Sequence, residues 1–191
     1  MPPKPKFTKE EIVAAALELV SEKGLDGLTA RELGAALGSS ARPIFTVFEN
    51  MEELQGAVRK AAMARFEQFA EKHLPDMPIF KQVGMQMVLF GRKEPKLYQL
   101  LFMQEQENST DFDHVFSLLG DTADRCIQAI KEDYGLTAQE AKALFENVWI
   151  YTYGIGTLCA TGVCRFTEEE LSRLLTGQFQ AVMGLIRGKE K

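Results

Sequence analysis

Apolar residues return every three or four positions along most of the chain, the period of a helix with one face turned inward. The clearest run is Leu171, Leu174, Leu175, Phe179, Val182 and Ile186. Helix starts are marked as plainly as helix faces. Thr8-x-x-Glu11, Thr29-x-x-Glu32, Thr137-x-x-Glu140 and Thr167-x-x-Glu170 each pair a capping hydroxyl with a carboxylate that can reach back to the cap N–H. Asn50-x-x-Glu53 reads as a fifth start, and Phe7/Ile12, Leu28/Leu33 and Phe166/Leu171 are spaced as hydrophobic staples. Gly24, Gly38 and Pro75 supply stops. These signals predict helices over about 8–23, 29–37, 42–48, 51–73, 78–91, 95–103, 112–134 (with a break near Gly120), 137–161 and 167–187. No stretch alternates as a strand would, and no internal repeat is present. The expectation is an all-α fold of about nine helices.

Spacing along the N-terminal third adds geometry to this pattern. The first three helices are short and their connectors shorter, so they must pack as one trihelical unit. Gly38 can take the left-handed conformation that a sharp turn needs, Ser39 or Ser40 can cap the next helix, and Gly34 and Ala35 keep the preceding helix slim. That is helix-turn-helix geometry, in which a second helix enters the DNA major groove while the first lies across the backbone. Pro43 is tolerated in a first helical turn and biases its neighbour away from helical geometry. Arg42 then stands at the mouth of the second helix, able to reach a guanine edge or a phosphate, or else solvated beside a helix-starting proline. Ser39, Ser40 and Thr46 bring polar groups to the same surface, and Lys4, Lys6 and Lys9 can supply backbone charge from the N-terminal arm.

Charge itself does not point to nucleic acid. The chain of 191 residues carries a formal net charge of −5, and residues 1–60 hold 8 Lys/Arg against 9 Asp/Glu. DNA binding must therefore rest on placement rather than on bulk charge. The 46% hydrophobic content suits a sizeable core and is too high for a disordered chain. Apolar runs break well before the ~18 residues of a membrane span, and the N-terminus has no apolar signal-peptide core. Cys126, Cys159 and Cys164 are too few, and odd in number, for a secreted disulfide framework. A reduced, cytoplasmic protein is expected.

On the residues Thr29, Arg31, Leu33, Gly34, Gly38, Ser40, Ile44, Phe45, Phe48 and Glu52-Glu53-Leu54, the first 50 or so positions resemble the DNA-binding module of TetR/AcrR family transcriptional regulators. Departures from the family pattern fall at Ser39, Arg42-Pro43, Val47 and Met51, the last replacing a lysine that meets a DNA phosphate in the family. The resemblance implies a DNA-binding domain over 1–54 and a larger helical domain over 55–191 that encloses a small-molecule inducer and makes a homodimer. It implies DNA contacts from Lys6, Thr29, Arg31, Ser39, Ser40, Arg42, Pro43, Phe45 and Thr46.

For the larger domain the sequence offers methionines and aromatics as pocket candidates: Phe66, Met87, Phe90, Phe102, Met103, Phe116, Trp149 and Tyr153. Such side chains serve as core at least as readily as they line a pocket. "VWIYTYGIGTLCATG" is similar to a Trp-His-Gly region of one family subclass, with Tyr153 where histidine would stand. The resemblance places a two-fold seam in the last two helices, where Thr152, Gly156 and Ala160 form a small-residue strip open to close helix approach and Leu171, Leu175, Phe179 and Val182 an apolar stripe; the competing reading fills both faces within one subunit by the helices at 78–134.

Enzyme chemistry finds little footing. There is no P-loop, and the "GIGTLC" stretch lacks the strand and third glycine of a dinucleotide fingerprint. His73 and His114 are isolated, Asp111 and Asp113 suit a solvated helix start, and no cofactor or metal is implied. Cys159 and Cys164 read as a thiol switch or as two plain reduced cysteines. The competing reading of the whole chain is a small helical enzyme or ligand carrier that binds no DNA.

Overall fold

The computed structural model describes residues 6–71, 77–104 and 119–188. Among them are eight α-helices: α1 Lys9–Lys23, α2 Ala30–Ala36, α3 Met51–Ala70, α4 Ile79–Lys93, α5 Pro95–Phe102, α6 Asp121–Tyr134, α7 Ala138–Ala160 and α8 Glu168–Gly188. Single 3₁₀ turns occupy Leu25–Gly27 and Ile44–Thr46, and the fold is all-α.

The capping signals act where the sequence sets them. At Thr8 the box closes both ways, Glu11 N–H donating to the Thr8 hydroxyl at 3.1 Å and Thr8 N–H to the Glu11 carboxylate at 2.8 Å. Thr137 and Thr167 close the same pair of bonds with Glu140 and Glu170. Thr29 makes half a box. Its hydroxyl accepts from Glu32 N–H at 3.2 Å, while the Glu32 carboxylate takes Lys23 Nζ at 2.5 Å instead. An ion pair to the neighbouring helix has replaced the second capping bond.

Residues 42–48 depart from expectation. They form one irregular turn rather than an α-helix: Thr46 N–H donates to Pro43 O, and Val47 and Phe48 N–H both reach Ile44 O. Proline brings no N–H to the turn, and Asn50 already caps α3 by accepting Glu53 N–H at 2.8 Å. Little chain remains for a second turn. Neither serine caps this element, which has no side-chain cap bond.

The chain divides into two compact units. The first comprises the described residues of Met1–Phe69 and of Lys93–Gln104. In it α1 packs on α2 and α5, around Ile12, Ala16, Val20, Leu33, Ile44, Leu54 and Val58, all without exposed surface. Most of α3, and α5 with it, segregates with the N-terminal helices in this unit. The second unit comprises the described residues of Ala70–Arg92 and of Glu105–Lys191. Here α7 packs on both α6 and α8, and α4 is buried continuously from Val83 to Gly91. Gln86 is the one polar side chain in that run, and it too is buried.

Candidate functional site

The joint between α2 and the following turn is tight because Gly34 has no side chain. A Cβ placed there would lie 2.9 Å from Ala41 N and from Ser40 C, closer than real Cβ contacts come. Ser39 N–H donates to Gly34 O at 2.8 Å, and Gly38 supports the reversal with φ +62°. Buried Ile44 and Phe48 anchor the far side of the turn. This leaves Ser40, Arg42, Phe45 and Thr46 exposed together, with Phe45 45% accessible.

The polar groups around this face are differently engaged. Arg31 and Arg42 are exposed and make no ion pair among the described residues. Thr46 Oγ1 donates to Pro43 O at 2.7 Å, which fixes its rotamer and leaves its lone pairs outward. Lys6 Nζ reaches the half-buried Ser39 hydroxyl at 3.0 Å, tying the N-terminal arm to the joint. Thr29 is spent on capping α2, and Pro43 is half-buried beside Arg42. Lys9 is less available than its position suggests, because it pairs with Glu53 at 3.1 Å and stands 4.9 Å from the Phe48 ring centre. The Glu49 N–H and then Lys9 hold the Glu53 carboxyl below its ordinary range, and Lys23 does the same for Glu32. Lys4 lies outside the described residues.

The pocket candidates scatter. Phe66 and Phe102 meet edge to face at 5.2 Å inside the first unit. Met87 and Phe90 have no exposed surface, Met103 is exposed, and Tyr153 is half-buried with its hydroxyl pKa raised by that burial. Phe116, like His73, Asp111, Asp113 and His114, lies outside the described residues. Trp149 is the one of these residues that lines a cavity described in the second unit, bounded by α4, α7 and α8. Phe80, Lys81, Gly84, Thr152 and Phe179 are among its other walls. Sequence reasoning missed them, since only the crossing of three helices brings them together.

The residues of the expected seam are mostly interior to the single chain. Thr152, Gly156, Ala160, Leu171, Phe179 and Val182 are buried within one chain, and Leu175 lines the cavity. The first six are covered by their own chain, while Leu175 is half-buried. The outward apolar residues of this region are Ile150, Leu158, Val163 and Leu185, the last 69% exposed.

Among the described residues no three His, Cys, Asp or Glu side chains group to hold a metal ion, and no described helix is long and apolar enough to cross a membrane. The three cysteines are free. Burial pushes the Cys126 thiol up to about 12, far from a reactive thiolate.

Residues 12–58 match the family model described as bacterial regulatory proteins, tetR family. Over 65 residues the chain is 32% identical to the class D tetracycline repressor protein of Escherichia coli, a stretch covering 34% of this chain and 30% of that protein. The chain thus spans less than a third of the curated relative it matches. Over nearly its whole length it shares a fold with a transcriptional regulator from Rhodococcus sp. Rha1 (TM-score 0.69, 14% identity, 93% of this chain and 96% of the other). The fatty acid degradation regulator FadR from Bacillus halodurans is similar in the same sense (TM-score 0.61, 17% identity, 95% and 97%). At these identities the likeness is one of fold alone. Residues 12–58 are thus a tetR-family segment by sequence, and the chain as a whole shares the fold of solved transcriptional regulators.

Proposed function

We propose that the protein is a dimeric, ligand-responsive DNA-binding regulator, a repressor released from its operator by a small apolar or aromatic molecule. The observation that carries this reading is the Gly34 joint, which holds Ser40, Arg42, Phe45 and Thr46 on one exposed face with the arginine free of any ion partner among the described residues. In a groove, Arg42 reads a guanine or grips a phosphate, Phe45 packs on sugar or a thymine methyl, and Ser40, Thr46, Arg31 and Lys6 fix the register on the backbone. Thr29, Ser39 and Pro43 act behind them by shaping the joint.

A near-palindromic operator needs a two-fold axis. The dimer seam in this reading is the outward face of α7 and α8. Ile150, Gly154 and Leu158 run along one helix at four-residue spacing, and Gly177, Ala181, Gly184 and Leu185 form an exposed face on the other. Small residues there admit a close helix approach, while the isoleucine and leucines supply apolar area.

A mobility shift tests the function: duplex flanking the protein's own gene against random duplex of equal length, each across a salt series. Preference for the flanking duplex, with affinity falling steeply as salt rises, is expected. Equal affinity for both duplexes would overturn the repressor reading.

A further inference from the structure

Two half-buried cysteines of the second unit are brought together by the way α7 ends. Cys159 and Cys164 are five residues apart, and a continuous helix would set their side chains about 140° apart. Instead α7 stops at Ala160. Gly162 N–H donates to Cys159 O at 3.1 Å, and Gly162 turns the chain back with φ +74°. The return ends on a backbone bond from Cys164 N–H to Leu158 O at 3.2 Å. Standard bond lengths then keep the Cα atoms of Cys159 and Cys164 within about 7 Å of each other, the range in which a disulfide can close.

Both thiols also look inward from this corner. Val163 and Arg165 are exposed while Cys164 and Phe166 are half-buried, so Cys164 turns toward the body of the unit, where Cys159 is half-buried too. Arg92, near the end of α4, holds the connection in place by donating to Phe166 O at 3.3 Å and to Glu168 Oε1 at 2.7 Å. Burial raises the Cys159 thiol above its ordinary value, Arg92 works against that rise, and Cys164 adds to it. The two sulfurs are therefore near enough to feel each other's charge, and neither is bridged. Cys126 provides the contrast, with no exposed surface.

We infer that Cys159 and Cys164 are a redox-active pair, forming a reversible disulfide within one chain by exchange with a low-molecular-weight disulfide. Cys164, flanked by exposed residues, meets the oxidant. Its thiolate attacks one sulfur of the small disulfide, forms a mixed disulfide and expels a small thiolate. The Cys159 thiol then gives up its proton, attacks the Cys164 sulfur and expels the second small thiolate. The two protons and two electrons of the protein dithiol leave in two small thiols. The new bond pins Cys164 to the last turn of α7 and stiffens the corner that carries the exposed Leu158 and Val163. Neither step requires DNA, so a chain that binds no operator would keep this site.

The full chain is equilibrated without oxygen in glutathione buffers, from reducing to oxidising, and free thiols are then blocked. No Lys or Arg lies between the two cysteines, so trypsin releases both in peptide 143–165. An internal disulfide leaves that peptide unblocked and two hydrogens lighter than the dithiol, while Cys126 is still recovered as a thiol. The equilibrium constant for oxidation should be about tenfold or more larger in the folded chain than in urea, because the fold holds the thiols together. Cys159→Ser should trap glutathione on Cys164 as a mixed disulfide that does not resolve; if this variant fails to fold by circular dichroism, Cys159→Ala supplies the same trap. Cys164→Ser should take up glutathione about tenfold more slowly, at the more shielded Cys159. Equal oxidation of the folded and unfolded chains, a disulfide that joins two chains, or a folded Cys159 variant that carries no glutathione overturns the inference.

Discussion

Arg65 Nη2 donates to Glu94 Oε1 at 2.5 Å, and the same guanidinium reaches Glu18 through Nη1 at 2.7 Å. Glu94 uses its other oxygen to accept the Ser21 hydroxyl at 2.8 Å. One side chain of α3 therefore clamps α1 to the start of α5, all within the first unit. Burial alone would lower the pKa of Arg65, but the Glu94 bond and the two carboxylate charges outweigh it and the value is raised. Arg65→Met should cost the first unit about 1–2 kcal/mol, a figure reduced because water still reaches part of the pair. Arg65→Lys should not restore it, since one ammonium cannot span both carboxylates as the planar fork does. Urea unfolding of the three proteins checks this, and a lysine variant as stable as wild type would remove the clamp.

Gly34→Ala should damage the DNA-binding face more than the rest of the molecule. Its Cβ would press on the Ser40–Ala41 backbone, which cannot rotate away as a side chain can. A cost of about 1–3 kcal/mol is expected, with operator affinity lost while the second unit stays folded. Hydrogen exchange resolved by segment distinguishes this from general unfolding.

Arg42→Ala should cost roughly 1–3 kcal/mol of operator binding and relax preference at one base pair per half-site, if it reads a guanine. A phosphate contact instead predicts equal losses on all sequences and a shallower salt dependence. Unchanged affinity and unchanged salt slope would place Arg42 outside the interface.

The seam proposed on α7 and α8 is tested by contrast. Leu185→Glu and Ile150→Glu lie on exposed positions and should yield folded monomers by ultracentrifugation, with operator binding lost. Phe179→Glu buries a carboxylate among Phe80 and Tyr134 and should instead lower stability by about 3 kcal/mol or more. Dimers surviving both exposed substitutions would place the seam elsewhere.

Acid should loosen the first unit through Glu32 and Glu53. Both carboxyls sit below the ordinary value of 4.5 in the folded chain, Glu32 through Lys23 and Glu53 through the Glu49 N–H and then Lys9. A lowered folded pKa means their stabilisation is complete above the ordinary value and is lost as pH falls through the lowered one. Urea midpoints should therefore drop as pH falls below about 4.5, and less steeply in Glu32→Gln with Glu53→Gln. An equal slope in the double variant would show that other carboxylates govern the acid limb.

Local chemistry made much of this protein legible in its sequence. Thr8, Thr137 and Thr167 cap as their spacing requires, because a capping box involves only four consecutive residues. Gly34 and Gly38 marked the joint for the same reason, one by its missing side chain and one by its backbone freedom. Helical periodicity located α4, α7 and α8 to within a few residues. Even so, residues 42–48 were too short for periodicity to distinguish a helix from a 3₁₀ turn, and there proline and the next cap decided.

What the tertiary structure decided is which side of each helix faces what. An apolar stripe says that a face is covered, not whether the cover is the same chain or another. Thus Thr152, Gly156 and Phe179 looked suited to a partner and are interior, while Ile150 and Leu185 were indistinguishable from core and point outward. The cavity is of the same kind. Gly84, Thr152 and Phe179 lie on three helices far apart in sequence, and the unmet indole of Trp149 exists only because those helices cross around it. Capping and turns are short-range and written in neighbouring residues; enclosure is long-range and arises only when the faces meet.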